Sequence, residues 1–240
     1  MKKTFFTIAL MLFAMTVQAK TLIVYYSYTN NVESIVNELR TQIEADVIEV
    51  EPAEKGLDYA ANNYAIGSAQ IAAIRENPDD ASSYPAIDPV KVDMSQYSTV
   101  IIGAPLWWSN MAAPMQTFLF QHGKEMAGKN IGLIVSSASS GISGVESDAK
   151  RLIPNGIFLE PSLWIRSSQT SNAGTLLQNW LQAIDYNNLT SGIGNIEPDH
   201  NTGFTVYSLS GIRLLADADS TSTLPAGLYI INGKKRLISK

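Results

Sequence analysis

Three short polar segments carry the residue types from which a ligand site can be built. Ser27-Tyr28-Thr29-Asn30-Asn31-Val32 lies between an apolar run and a helical pattern. Hydroxyls, a carboxamide and the free N–H groups of a helix start suit a phosphate monoester, and the helix dipole favours an anion there without lysine or arginine. The same residues can also serve simply as helix caps. Gly103-Ala104-Pro105-Leu106-Trp107-Trp108-Ser109-Asn110 sets two adjacent tryptophans in a loop. Such rings offer a planar ligand a stacking surface worth about 0.5–1.5 kcal/mol beyond the area buried. Consecutive extended residues point in different directions, so one indole can anchor the loop while the other faces the ligand. Ser136-Ser137-Ala138-Ser139-Ser140-Gly141, continuing into Ile142-Ser143-Gly144, is small throughout. It lets main-chain amides approach the polar edge of a flat ring; taken alone it is equally a flexible connection.

The elements that would position these segments alternate. Leu22-Ile23-Val24-Tyr25-Tyr26 reads as a strand, and Val32, Ile35, Val36, Leu39 and Ile43 follow at helical spacing. Residues 46–50, 98–103, 130–136 and 156–165 read as further strands, and 59–75, 113–121, 145–153 and 173–184 as helices. This alternation predicts an α/β fold, a doubly wound five-stranded parallel sheet in the order 2-1-3-4-5. Right-handed crossovers bring the carboxyl ends of the first, third and fourth strands together, and those ends carry the three polar segments. The stretch 56–89, with Tyr59, Tyr64, Arg75 and Tyr84, is positioned to cover a ligand or admit a substrate.

The ends of the chain read differently. Lys2 and Lys3, an apolar stretch over 4–17 and Val17-Gln18-Ala19 have the form of a secretory signal peptide over residues 1–19. The apolar run is short for a membrane span, and the mature domain is expected over 20–185. Residues 186–202 are polar, hold Gly192, Gly194 and Pro198, and read as a linker. Beyond them, 203–240 reads as a small β tail with strands at 205–209, 227–231 and 234–238 and a turn at Asn232-Gly233. The formal charge of −5 becomes −7 when the two leader lysines are removed, and no basic run exists to follow a phosphate backbone, so nucleic acid is not an expected partner. The absence of cysteine excludes disulfides and thiolate chemistry. No G-x-S-x-G elbow is present, and His122 and His200, scattered and without clustered carboxylates, support neither a hydrolase nor a metal site.

Residues 21–185 resemble the flavodoxin-like family, in particular its branch with a P-[IL]-W-W loop, matched by Pro105, Leu106, Trp107 and Trp108. The family's phosphate motif S-x-T-G-N-T falls on Ser27, Tyr28, Thr29, Asn30, Asn31 and Val32, with Asn30 in place of glycine and Val32 in place of threonine. Its T-x-G-G-S-G motif falls on Ser136, Ser137, Ala138, Ser139, Ser140 and Gly141, with both paired glycines replaced. If those two positions require positive φ, Ala138 and Ser139 are strained. The resemblance implies FMN as cofactor, held by these three loops, with Ser109 and Asn110 completing the second. It implies either an electron carrier or an oxidoreductase that passes hydride from a nicotinamide to a quinone-like acceptor. An exported protein of this kind would take its electrons from a redox partner protein or a quinol, in the periplasm or at the cell surface. The alternative is a flavin-free binding module of the same fold. The tail resembles type IX secretion sorting segments through Val206-Tyr207-Ser208-Leu209-Ser210-Gly211 and Leu224-Pro225-Ala226-Gly227-Leu228-Tyr229-Ile230.

Overall fold

Strand β1 (Lys20–Tyr25) is apolar on both faces because both are covered, as in the middle of a parallel sheet. In the computed structural model, Leu22, Val24 and Tyr26 belong to one core, and Ile23 and Tyr25 to another on the opposite side. The structure describes residues 20–190, 204–208, 213–218, 224–231 and 234–238. The leader and all but the first five residues of the expected linker lie outside the described residues.

Helix α1 (Asn31–Leu39) follows β1, then come β2 (Asp46–Glu49), α2 (Ala61–Glu76) and the long β3 (Tyr97–Trp107). Next are β4 (Asn110–Met111), α3 (Ala113–His122), β5 (Asn130–Ser137) and α4 (Ser143–Leu152). The unit closes with β6 (Ile157–Phe158), β7 (Leu163–Arg166), α5 (Ala173–Ala183) and α6 (Tyr186–Thr190). The parallel sheet runs β2-β1-β3-β5, with β6 and β7 both pairing with β5. The expected 2-1-3-4-5 order is therefore present, with its fifth strand divided in two. Helices α1 and α5 pack on one face through Val32, Ile35, Val36, Leu177 and Trp180. Helices α2, α3 and α4 pack on the other through Ile71, Ile74, Phe118, Leu119, Val145 and Ala149.

Three boundaries differ from the sequence reading, each for a physical reason. Residues 104–107, expected as loop, continue β3: Ala104 and Pro105 still pair parallel with Val135 and Ser136, and Leu106 and Trp107 run on beyond the parallel sheet to pair antiparallel with Met111 and Asn110. Helix α4 starts at Ser143, so the serine-rich loop ends at Ile142. Residues 186–190, expected as linker, form α6, whose Tyr186 is buried and shares a 2.7 Å hydroxyl hydrogen bond with Thr21.

The C-terminal segment is a separate unit, a four-stranded antiparallel sheet of β8 (Phe204–Tyr207), β9 (Arg213–Ala218), β10 (Gly227–Ile231) and β11 (Lys234–Ile238). Its order is β11-β10-β8-β9. Strand β9 escaped the sequence reading because Arg213 and Asp217 interrupt its apolar pattern. Ile231 pairs antiparallel with Lys234, and the turn expected at Asn232-Gly233 lies outside the described residues. Among the described residues no helix is long and apolar enough to cross a membrane.

Candidate functional site

The crossovers leave β1 and β3 in opposite directions, and the crevice they open at the carboxyl end of the sheet is where a ligand fits in an open α/β fold. A cleft of about 680 Å³ lies there, within the usual range for small-molecule sites. Its lining brings together Ser27, Tyr28, Thr29, Asn31 and Val32 from the first loop, Pro105, Leu106, Trp107 and Trp108 from the second, and Ser136, Ser137 and Ala138 from the third. No lining residue carries a charge.

The first loop is shaped to receive an anion. Ser34 N–H makes the first intrahelical bond of α1, to Asn30 O at 2.9 Å, and Glu33 N–H is taken by Ser27 Oγ at 3.2 Å. The Asn31 and Val32 N–H groups, one turn earlier, find no acceptor among the described residues. Thr29 Oγ1 accepts from Asn31 Nδ2 at 3.0 Å. Both hydroxyls are acceptors in these bonds, which leaves their protons available to a ligand. Asn30 stands at φ 60°, a conformation asparagine tolerates where the family has glycine; it turns the chain and does not line the cleft. Val32 contributes only an edge. Its side chain is buried in the core, where a Cβ on Gly103 would come within 3.0 Å of it. The residue that replaces a threonine hydroxyl thus serves the packing of α1 on β3.

The second loop is a hairpin whose two central residues, Trp108 (φ 46°) and Ser109 (φ 64°), are both left-handed. That is the backbone of a type I′ turn, which favours Asn-Gly and is strained for a tryptophan. The two indoles, both in the lining, differ in surroundings. Trp107 packs on the core, edge-on to Tyr26 at 5.7 Å between centroids and tilted on Tyr59 at 4.8 Å. Trp108 is 41% exposed and meets Tyr64 edge-on at 6.4 Å. Ser109 and Asn110, expected at the site, turn away from it. Asn110 Nδ2 donates to Asp148 of α4 at 2.9 Å, and the Ser109 carbonyl packs against Gly144.

The third loop contributes only its beginning. Ser137 Oγ accepts from Trp164 Nε1 at 2.8 Å and donates to the Ser140 carbonyl at 3.0 Å, tying the loop back on itself. Ser139, Ser140 and Gly141 lie beyond the lining. Ala138 and Ser139 do not take positive φ, so the strain foreseen for them does not arise.

Four further wall residues come from α2 and the two residues before it: Tyr59, Ala60, Tyr64 and Gly67; Ser167 completes the rim. Asn62, Asn63 and Tyr64 form a left-handed turn at φ 51°, 58° and 63°. Asp58 starts the segment by accepting from Ala60 and Ala61 N–H and from Tyr28 Oη. The aromatic content of 56–89 was a usable signal for Tyr59 and Tyr64; Gly67 gave none. Of the other two residues marked in that stretch, Arg75 reaches the Trp108 carbonyl, while Tyr84 stacks on Phe120 at 4.3 Å. Burial pushes the Tyr26 and Tyr59 phenols up, with the Tyr59 and Tyr28 phenols adding to the rise at Tyr26 and Gln70 opposing it at Tyr59. Neither phenol therefore carries a charge in the physiological pH range.

A flavodoxin family model matches residues 20–184. Solved structures with the same fold include a flavoprotein from Lactobacillus acidophilus NCFM, determined in complex with FMN. It is 22% identical, with a TM-score of 0.51 over 65% of this chain and 99% of its own. A protein from Bacteroides eggerthii DSM 20697, described as a flavoprotein, is 22% identical with a TM-score of 0.56 over 70% of this chain and 98% of its own. No curated protein matches the sequence. With more than half of its length matched, the chain belongs to the flavodoxin family.

Proposed function

We propose that the protein binds FMN in this cleft and works as an exported electron-transfer flavoprotein or oxidoreductase. The observation that carries the reading is the junction, in one uncharged cleft, of the unpaired amides before Ser34 with an aromatic wall of Tyr59, Trp107 and Trp108. Ser27, Thr29 and Asn31 would hold the phosphate, the indoles would cover the ring, and Ser136 to Ala138 would present the backbone to its polar edge. When bound, FMN supplies the capacity to take up and release one or two electrons. The chain's own contribution is to orient the ring, exclude water from its buried face and keep the floor free of charge. The relative from Lactobacillus acidophilus, with FMN in its structure, supports the cofactor.

Export rests on the lysines and apolar stretch of residues 1–17, and the sorting role of the tail on its sequence motifs. An exported flavoprotein meets little nicotinamide nucleotide, which favours a redox protein or a quinol as its electron donor. Titrating refolded protein with FMN is the test. Quenching of flavin fluorescence with a dissociation constant at or below the micromolar range is the expected result, only weakly sensitive to salt because no lysine or arginine holds the phosphate. A flat titration at micromolar FMN overturns the reading and leaves the flavin-free binding module in its place.

A further inference from the structure

The tryptophan turn is held by residues that do not line the cleft. Its outgoing limb is only two residues long, β4, and both main-chain groups of Met111 are fixed from outside. Asp148 Oδ2 accepts from Met111 N–H at 2.9 Å, and Gln116 Nε2 donates to Met111 O at 2.7 Å. The same Oδ2 accepts from Asn110 Nδ2. Arg151 joins the two supports, its Nη2 lying 3.0 Å from Gln116 Oε1 and 3.4 Å from Asp148 Oδ1. Asp148 is 7% exposed on α4. A buried carboxylate is costly unless its bonds are made, and these bonds converge on one strained turn.

The tip of the turn is held from the opposite side. Arg75, in the last turn of α2, donates through Nη2 to the Trp108 carbonyl at 3.1 Å. Two helical turns earlier, α2 lies so close to both indoles that a Cβ on Gly67 would stand 3.0 Å from Trp108 Cζ3 and 3.3 Å from Trp107 Cε3. A residue as large as tryptophan keeps a left-handed backbone only where its surroundings over-determine it.

We propose that Asp148 and Arg75 are positioning residues for the ring platform, holding Trp108 in its strained turn from two sides and thereby setting how a flavin is covered. The inference rests on the FMN reading for its functional consequence but not for its structural content. Arg75→Ala and Asp148→Asn of the full chain test it, with Arg75→Lys as a control that keeps a donor. Arg75 is exposed, so its variants are expected to fold even where Asp148→Asn does not.

The near-ultraviolet circular dichroism of the free chain should lose tryptophan intensity in Arg75→Ala and Asp148→Asn while the far-ultraviolet spectrum is kept. FMN should bind about tenfold more weakly, the equivalent of one good hydrogen bond's worth of organisation. At saturating FMN the flavin's visible band should be displaced, a change that lower fold stability alone does not produce. Arg75→Lys should retain most of the wild-type behaviour. Wild-type near-ultraviolet dichroism in Arg75→Ala overturns the proposal. So do unchanged FMN affinity and an unchanged visible band in a wild type that binds FMN. A wild type that fails to bind FMN overturns the proposed function instead, and the dichroism of the free chain still decides whether these residues hold the turn.

Discussion

The two walls of the cleft are built on opposite principles. The phosphate-side wall takes most of its shape from its own segment: a strand end, one left-handed asparagine and the first turn of α1, with Ser27, Thr29 and Asn31 bonding within six residues of one another, while Thr170 donates to Asn31 Oδ1 at 3.4 Å and Asp58 accepts from Tyr28 Oη from outside it. The tryptophan wall takes its shape from elsewhere, through Asp148, Gln116, Arg75 and a left-handed turn in α2. Of eight non-glycine residues with positive φ among those described, six lie in the chain segments that shape these walls, and five of the six on the tryptophan side. Each such residue stores about 1–3 kcal/mol when its side chain is ill suited to the conformation. The difference separates a site that a local sequence can specify from one that needs the whole unit folded around it.

The strongest way to break the tryptophan wall alone is Gly144→Ala. A Cβ there would overlap the Ser109 carbonyl oxygen, a backbone atom that cannot move aside without taking the turn with it. The expected loss is about 1–3 kcal/mol in chemical denaturation, the usual range for overpacking. FMN affinity should fall with it. A variant with wild-type stability and affinity would mean that the turn is not seated on α4.

The opposite manipulation relaxes the same wall. Trp108→Asn combined with Ser109→Gly installs the residue pair that a type I′ hairpin favours. It is expected to raise stability by about 1–2 kcal/mol while weakening FMN binding about tenfold through loss of the exposed indole. A gain in one property against a loss in the other would identify the strain as kept for the site. A loss of stability would show that Trp108 holds the hairpin together. On the phosphate side, Ser27→Ala removes one cap and one candidate ligand donor. About 1 kcal/mol of stability is expected to go, with FMN affinity falling about tenfold and riboflavin affinity unchanged. Equal losses for both ligands would place Ser27 away from the phosphate.

How much of this was legible follows the same division. The parallel sheet could be read because β1, β3 and β5 are unbroken apolar runs, and their order followed from alternation and crossover handedness. Ser27 to Asn31 could be read because capping and anion binding use the same local residue types. Pro105 to Trp108 could be read as a platform but not as a hairpin, since nothing in Trp108-Ser109 advertises a type I′ turn. Asn110 reads in sequence as a cleft residue because nothing local marks its partner, Asp148, 38 residues away. The serine-rich loop reads as longer than it is because α4 begins without a side-chain cap to mark its start.

Two adjacent phenols carry the comparison down to single residues. Tyr25 and Tyr26 follow one another at the end of β1 but enter opposite cores, Tyr25 on the α1 side and Tyr26 beneath Trp107. Burial pushes both phenols well above the ordinary tyrosine value of about 10, and at Tyr25 the Glu49 carboxylate that accepts its proton adds to the rise. Below about pH 10 both phenols are protonated folded or unfolded, and the stability they contribute is fully present. Above it the unfolded chain ionises first, so stability falls as pH rises until the folded phenols ionise too. Each such phenol adds at most about 1.4 kcal/mol per pH unit to that slope. Tyr26→Phe should flatten the alkaline loss and leave stability at pH 7 nearly unchanged, because its burial dominates and no acceptor is lost. Tyr25→Phe should flatten it as well while lowering stability at pH 7 by about 1 kcal/mol or less, since it removes one hydrogen bond to the exposed Glu49 carboxylate. Denaturation curves at pH 7 and pH 11 check this: equal behaviour at pH 7 would mean that the Tyr25–Glu49 bond contributes nothing, and an unflattened slope in Tyr26→Phe that the floor beneath Trp107 is open to water.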